Sequence, residues 1–340
     1  MPKISIIIPL FNQVGFTKMC LEYLERNTPP EIYETILVDN ASTDGTEPLL
    51  ASLSTKFKRI RNSVNLGFAK ACNQGAEIAT GEYLIFLNND TVPHNGWAEA
   101  LLEPLSRFPE IGIVGPKLIY PDGTIQQAGV AFSNAKMPYH LYSGLPADFS
   151  GANKERFFQA VTGACFLVSR SDFFAVGQFD ERYVNGLEDI HFCLAIGKKG
   201  KKIFYNPASK VTHLESRSEG RQAGMNNNAR IFLDEWSTTI VNDDFRFFVE
   251  DDIDFWVNGN TFSFYPTTPG NDRTREILNK ADSYFLQGQL VLADKTYMEL
   301  LQRNPYNTFG LLEIAKLMDR LGNSNASTVL KGLAATYSGN

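Results

Sequence analysis

Asn88, Asn89 and Asp90 follow directly on the apolar run Leu84-Ile85-Phe86-Leu87. Hard divalent cations take oxygen ligands, often one or two carboxylates together with substrate phosphates. If the strand stays extended, Asn88 and Asp90 point to one side. The competing expectation is that Asp90 caps a helix starting near Pro93. Glu188 and Asp189 are adjacent carboxylates at a helix start. A helix dipole favours acids there without further meaning, and the same position lets a carboxylate enter a cleft as a general base. His213 ends a late strand, Val211-Thr212-His213, and could complete an oxygen-rich metal site. His94, His140 and His191 have no comparable setting.

Earlier segments offer ligand contacts of another kind. Pro9-Leu10-Phe11-Asn12 follows a first strand, in which Pro9 fixes φ and ends the ladder. Phe11 presents a flat face on which a nucleobase could stack. Asp39 follows a second strand and could accept a hydrogen bond from a base N–H. The segment Asp39-Asn40-Ala41-Ser42 also suits a plain turn, since Asn, Asp and Ser bond their own backbone. Asn65 suits a helix N-cap, and Gly67 lets backbone approach a ligand closely.

These residues need a frame. Ile4–Ile8, Thr35–Val38, a short run near Ile60 and Tyr83–Leu87 read as strands. Phe16, Met19, Cys20, Tyr23 and Leu24 share one helical face, and helices are expected over Thr46–Leu53 and Gly67–Ala79. Strands alternating with helices predict a mainly parallel sheet covered on both faces, with ligands beyond the carboxyl ends of the strands. Further strands are expected near Gly112–Val114, Ile125–Phe132, Val161–Ser169, Ile203–Tyr205 and Lys210–His213. Helices are expected over Glu188–Lys199 and Ala223–Val241.

The domains divide as 1–241 for the α/β region, 242–272 for a linker or extension with its breakpoint at Pro-Thr-Thr-Pro-Gly-Asn-Asp, and 273–340 for a helical region. The last weakly repeats. Ala281 and Ala315 lie 34 residues apart, as do Gly288 and Gly322, with Ala293, Tyr297 and Pro305 at the small, aromatic and closing positions of a tetratricopeptide repeat. Ser327 and Lys331 make the second copy degenerate. A plain helical bundle is the other reading.

The chain has 340 residues, 43% of them hydrophobic and 21% charged, which suits a full globular core. Its net charge of −6 argues against a nucleic-acid partner. Cys20, Cys72, Cys165 and Cys193 form no CxxC pair, so neither a zinc site nor a redox motif is indicated. They read as reduced thiols of a cytosolic protein. The N-terminus lacks the pattern of a signal peptide, and no stretch approaches the roughly 20 apolar residues that span a bilayer. The expectation is a soluble, cytoplasmic protein or one peripheral at the inner face of the membrane.

In order, the segments PLFN, VDNASTDGT, NLGFAKACNQG, YLIFLNNDT, VTGACFLVSR, FDERYVNGLEDIHFCLAIGKKG and VTHLESRS resemble the family 2 glycosyltransferases, especially rhamnosyltransferase-like bacterial members, over about residues 3–240. The resemblance implies the GT-A fold, a Rossmann-like, mainly parallel mixed sheet flanked by helices. It implies transfer of a sugar from a UDP- or dTDP-sugar donor, with inversion, to a glycan, lipid-linked or protein acceptor in cell-surface polysaccharide synthesis. Pro9, Phe11 and Asn12 would line the nucleotide pocket, and Asp39 would bind the base, with Asp44 in the same loop. Asn65, Gly67 and Lys70 would lie near the donor, and Thr162-Gly163-Ala164 would face the donor sugar or acceptor. Asn88, Asn89 and Asp90 would form the DxD-type element, with Asp90 holding Mg²⁺ or Mn²⁺ and His213 a further ligand. Asp189 would be the catalytic base, with Glu188 beside it. Asn88 departs from the pattern, replacing the first aspartate and lowering the charge of the site. Residues 273–340 fall outside the resemblance; their helical, repeat-like pattern is expected to serve homodimerisation or a protein partner.

Two other readings remain. A nucleotidyltransferase would carry a glycine-rich phosphate loop after strand one, where this chain has PLFNQVG. A non-catalytic nucleotide-sugar-binding scaffold, acting through its helical tail, has no evident need for Asp90, Asp189 and His213.

Overall fold

The computed structural model describes residues 3–55, 57–133, 135–215, 225–251, 253, 255–258, 263–266, 280, 281, 283–303 and 308–337. The chain divides into two compact units, one of residues 1–131 and 138–240, the other of 132–137 and 241–340.

The first unit begins as β1 (Ile4–Leu10), α1 (Val14–Asn27), β2 (Tyr33–Asp39), α2 (Thr46–Ser52), β3 (Phe57–Arg61), α3 (Phe68–Glu77) and β4 (Tyr83–Leu87). There follow β5 (Thr91–Pro93), α4 (Trp97–Arg107), β6 (Ile111–Ile119), β7 (Ile125–Gln127), β8 (Val130–Phe132), β9 (Pro138–His140), β10 (Arg156–Phe158), β11 (Cys165–Ser169), α5 (Arg170–Ala175), α6 (Glu188–Lys198), β12 (Lys202–His213) and α7 (Met225–Trp236). One sheet runs in the order β10-β12-β6-β11-β4-β1-β2-β3, with β5 on β12 and β7 on β6. Pairs β1–β2, β2–β3, β1–β4 and β6–β12 are parallel, and β11 is antiparallel to both β4 and β6. This is the expected mixed, mostly parallel sheet flanked by helices.

The strand order reverses at β1. The chain moves outward through β2 and β3, then returns to the other side of β1 as β4. A crevice opens at such a switch point beyond the carboxyl ends of the strands. Contrary to expectation, Pro9 does not end β1: Pro9 and Leu10 still pair with Val38 and Asp39. The β4 ladder stops at Ile7, so the missing N–H of Pro9 costs no bond on that side.

Other differences have physical reasons. The expected strand over Ile125–Phe132 is broken, because Gly129 adopts φ +96° under the Phe158 ring, where a Cβ would come within 2.3 Å. The two late strands are one, β12, bulged between Asn206 and Lys210. Asp90 caps no helix, since β5 follows it and α4 begins at Trp97. In α1 the buried positions are Thr17, Cys20, Leu21 and Leu24, so the stripe is turned by one residue and Tyr23 is exposed.

A cluster of Phe86, Phe166, Phe173, Phe179 and Phe192 packs β4, β11, α5 and α6 together. Phe192 lies 5.2 Å from Phe173 and 5.1 Å from Phe179 between ring centroids. Such rings dominate core energetics by area, and here they fix α6 against the sheet. All four cysteines are buried and free.

The second unit contains α8 (Asp244–Glu250), a hairpin of β13 (Phe255–Asn258) and β14 (Ser263–Pro266), then α9 (Leu290–Arg303), α10 (Thr308–Arg320) and α11 (Ser324–Tyr337). In the segment expected as a linker or extension, the chain forms a helix and a hairpin. The rest of the PTTPGND breakpoint, 267–272, lies outside the described residues. Ala281, Phe285, Ala293, Tyr297, Ile314 and Leu317 form a small core.

Candidate active site

An open cavity of about 380 Å³ lies at the carboxyl ends of β1, β2 and β4. Pro9, Phe11, Asn65, Asn88, Asn89, Asp90, Gly163, Glu188, Asp189 and His213 all line it, although they come from six separate segments. Asn12, Asp39, Gly67 and Lys70 do not.

Those four have other partners. Asn12, at φ 57°, donates its N–H to Ser42 Oγ at 2.8 Å and accepts the Thr43 N–H at 2.8 Å. Buried Asp39 accepts the Ser42 N–H at 2.9 Å and pairs with Arg61 at 3.0 Å. Lys70 pairs with Glu181 at 3.4 Å on the surface. Gly67, at φ +86°, forms a turn in which its N–H donates to Asn65 Oδ1 at 2.9 Å. Asp44 accepts the Val14 N–H at 2.9 Å and the Thr46 hydroxyl at 2.6 Å, tying α1 to α2. These residues shape the loops behind the cavity. Asn40, not singled out beforehand, organises them further by donating to the Gly67 carbonyl at 3.0 Å while its oxygen accepts from Asn62 at 2.8 Å.

Asn88 and Asp90 converge on His213, through a turn rather than an extended strand. His213 Nε2 lies 3.1 Å from Asp90 Oδ1 and 3.4 Å from Asn88 Nδ2. His213 Nδ1 lies 2.7 Å from Gln126 Oε1. Two adjacent ligands of an octahedral cation with bonds of about 2.1 Å stand about 3.0 Å apart. The spacing of Asp90 Oδ1 and His213 Nε2 therefore fits a pair sharing one hard cation. Asn89 turns away and donates to Thr17 at 2.9 Å.

Asp189 stands in the first turn of α6 across the cavity. Its Oδ2 accepts the Gly163 N–H at 2.5 Å and its Oδ1 the Ile190 N–H at 2.8 Å. Burial raises its pKa above the ordinary carboxylate range, against these bonds and one from Thr162. The loop presenting it is strained: Asn185, Gly186 and Leu187 have φ of 51°, 152° and 72°. A leucine in the left-handed region is costly and persists only where its surroundings fix it. Here they do so twice. Glu188 Oε2 accepts the Gly186 N–H at 2.6 Å, and Asn228 of α7 donates to the carbonyls of Val184 and Gly186, both at 2.9 Å. Glu188 therefore turns back to its own loop.

Gln126, Phe68, Tyr139 and Asn185 also line the cavity and were not foreseen. Two glutamines inside an apolar strand segment were the available sign for Gln126.

The sequence profile described as glycosyl transferase family 2 matches residues 5–174, half of the chain. The chain belongs to this family. The family 2 region resembles the O-antigen biosynthesis protein RfbC of Myxococcus xanthus, at 30% identity over 65% of this chain and 18% of that protein. It also resembles the N-acetylglucosaminyl-diphospho-decaprenol L-rhamnosyltransferase of Mycobacterium tuberculosis, at 32% identity over 55% of this chain and 68% of that one. The match thus spans under a fifth of the first relative. In fold, this glycosyltransferase is similar to the crystal structure of GalNAc-T7 with UDP, GalNAc and Mn²⁺, with a TM-score of 0.58 at 20% identity, covering 73% of this chain and 50% of that one.

A second group, Asp180, His191 and Glu235, has ligand atoms within 4.8 Å of one another. His191 thus has a setting that the sequence did not suggest. Arg182 already reaches Asp180 at 2.5 Å and Glu235 at 3.0 Å, while the Trp236 indole donates to His191 Nδ1 at 3.0 Å. Arg182 offsets one of the group's two carboxylate charges, and the group braces α6 against α7. No helix among the described residues is long and apolar enough to cross a membrane.

Proposed function

We propose that this chain transfers a sugar from a nucleotide-diphosphate sugar to an acceptor hydroxyl, with a divalent cation and with inversion. One observation carries the reading. The cavity is lined by Asp90, Glu188, Asp189 and Glu215, and among the described residues no lysine or arginine lines it. A diphosphate entering such a site meets like charge at close range. A cation held by Asp90 and His213 would remove that repulsion. Mg²⁺ or Mn²⁺, when bound, would stabilise the charge gathering on the diphosphate leaving group. Asp189, on the opposite wall, takes the acceptor proton, and attack from the face away from the diphosphate inverts the anomeric centre. Glu188 is assigned to holding the Asp189 loop.

Pro9, Phe11, Asn65, Asn89 and Gly163 are assigned to the donor's immediate surroundings. Asn12, Asp39, Gly67 and Lys70 serve it through the loops they shape. The nucleotide is assigned as UDP or dTDP. The names of the relatives, an O-antigen biosynthesis protein and a decaprenol-linked rhamnosyltransferase, favour polysaccharide synthesis as the setting and a lipid-linked acceptor, which this chain would meet at the inner face of a membrane. In the tail, Gly288 and Gly322 both have positive φ, +72° and +75°, and Ala281 and Ala315 are both fully buried. That equivalence at a 34-residue spacing supports a tetratricopeptide-like pair, a docking surface for a second copy or a protein partner.

The test is thermal unfolding with UDP, dTDP, GDP or CMP, each with and without Mn²⁺. A ligand of the native state raises the midpoint by mass action. UDP or dTDP is expected to stabilise the protein only with Mn²⁺. Equal stabilisation without metal would overturn the metal assignment, and none at millimolar concentration would overturn the donor assignment.

A further inference from the structure

We propose that Gln126 is a positioning residue, fixing the protonation pattern of His213 so that Nε2 faces Asp90 with a lone pair. The inference rests on the metal-dependent reading of this site.

A neutral imidazole carries its proton on one nitrogen only, and the hydrogen bond at one nitrogen decides what the other can do. An amide oxygen can only accept. With Gln126 Oε1 at 2.7 Å, Nδ1 bears the proton and donates it. Nε2 is then an acceptor, which suits its second neighbour, the Asn88 amide nitrogen at 3.4 Å. It also places two lone-pair atoms, Nε2 and Asp90 Oδ1, 3.1 Å apart. A cation between such atoms is attracted to both; a proton on Nε2 would exclude it.

The backbone independently singles out Gln126. In the β6–β7 ladder Leu118 pairs with Gln127 and Ile119 with Ile125, with a shift of register between them. Two residues of β6 thus face three of β7, and Gln126 is the extra one. A bulge re-aims the side chain it carries, and bulges recur beside active sites. On the other flank of β6, Val211 and Thr212 of β12 pair with Leu118 and Ile119. Gln126 and His213 are thus brought to the same level of the sheet by one short piece of β6. Gln126 is 1% exposed, so its amide is withdrawn from water and its bond to His213 is fixed.

Partners that orient a metal-binding histidine typically contribute about 10–100-fold in metal affinity. The experiment measures Mn²⁺ binding directly, by loss of the free-ion EPR signal, for wild type, His213→Ala, Gln126→Leu and Gln126→Glu. Wild type should bind Mn²⁺ and His213→Ala should not. Gln126→Leu should bind about 10–100-fold more weakly, and Gln126→Glu, which keeps an acceptor at Nδ1, should recover the affinity. A second readout needs no substitution at Gln126. With only four histidines in the chain, ¹⁵N-histidine spectra in mildly alkaline, metal-free buffer resolve His213 by comparison with His213→Ala. The Nδ1–H form is expected.

An Nε2–H form in wild type overturns the proposal even if Gln126→Leu fails to fold. Wild-type affinity in Gln126→Leu, or equal losses in Gln126→Leu and Gln126→Glu, also overturns it while leaving the metal reading intact. Absence of Mn²⁺ binding by wild type overturns the metal reading itself, and this inference with it.

Discussion

Asp189 and Gly163 are packed so closely that a Cβ added at Gly163 would stand 2.8 Å from Asp189 Cβ and 3.2 Å from its Oδ2. The same glycine donates its N–H to that oxygen at 2.5 Å. One residue therefore both holds the proposed base and leaves it space, and α6, pinned by Phe192, cannot retreat as a whole.

Gly163→Ala follows directly. The added methyl pushes Asp189 off its bond, and a displacement of about 1 Å at a reacting group can cost roughly 10²-fold in rate. Overpacking of this kind also costs about 1–3 kcal/mol of stability. Turnover should fall while metal-dependent nucleotide binding persists, as measured by kcat beside a calorimetric titration. Unchanged kcat would remove Asp189 from the reaction.

A second expectation concerns pH. Burial raises the Asp189 pKa, and a base acts only when ionised. The acid limb of kcat should therefore lie above the ordinary aspartate value of about 3.9. The linkage has a definite sign. A carboxyl raised in the folded state contributes stability below its unfolded pKa, and this is lost as pH rises through the folded one. Asp189→Asn should remove the limb and lower turnover by about 10²–10⁴. A limb at the ordinary value, or the same limb in the variant, would assign the titration elsewhere.

Much of this arrangement was legible in the sequence because it depends on short-range pattern. The apolar run ending at Leu87 ends a strand, and Asn88 to Asp90 do stand at its carboxyl end. What escaped depends on tertiary geometry. The bulge at Gln126 needs β6 for a partner, and the break at Gly129 needs the Phe158 ring above it. Glu188 and Asp189 are adjacent and both carboxylates, yet the strained loop turns one back to Gly186 and the other to Gly163. Asp39 sits where a base-binding residue is expected, but Arg61, 22 positions on, claims its carboxylate. His191 acquires its carboxylate neighbours only when α6 meets α7.

The proposed ligand pair gives a third prediction. Asp90→Ala and His213→Ala would each leave the proposed cation with one of its two strong protein contacts. The loss of Mn²⁺ affinity should exceed the roughly 10–100-fold typical of an outer partner. Stabilisation by UDP or dTDP with Mn²⁺ should vanish in both variants, as followed by thermal unfolding. Wild-type stabilisation in either would exclude that residue as a ligand.

A last prediction separates the frame from the site. Glu34 of β2 lies at the opposite end of the strands. Its Oε1 accepts the Ser5 hydroxyl at 2.6 Å and the Thr80 N–H and hydroxyl at 2.7 and 2.8 Å, and its Oε2 pairs with Lys58 at 2.7 Å. Burial alone would raise its pKa, but the bonds from Lys58, Ser5 and Thr80 outweigh it and hold the carboxyl down to about 2. A depressed carboxyl contributes stability above its unfolded pKa of about 4.3, and loses it as pH falls through the folded value. Hydrogen bonds to a charged group are worth about 1.5–3 kcal/mol, less where solvent screens them. Glu34→Gln should therefore lose about 1–2 kcal/mol at neutral pH. The deficit should shrink between about pH 5 and pH 2, because wild type loses the advantage there. Urea unfolding of both proteins across that range measures it, and kcat at saturating substrate should not change. A deficit independent of pH would mean that Glu34 acts by packing, with its charge playing no part.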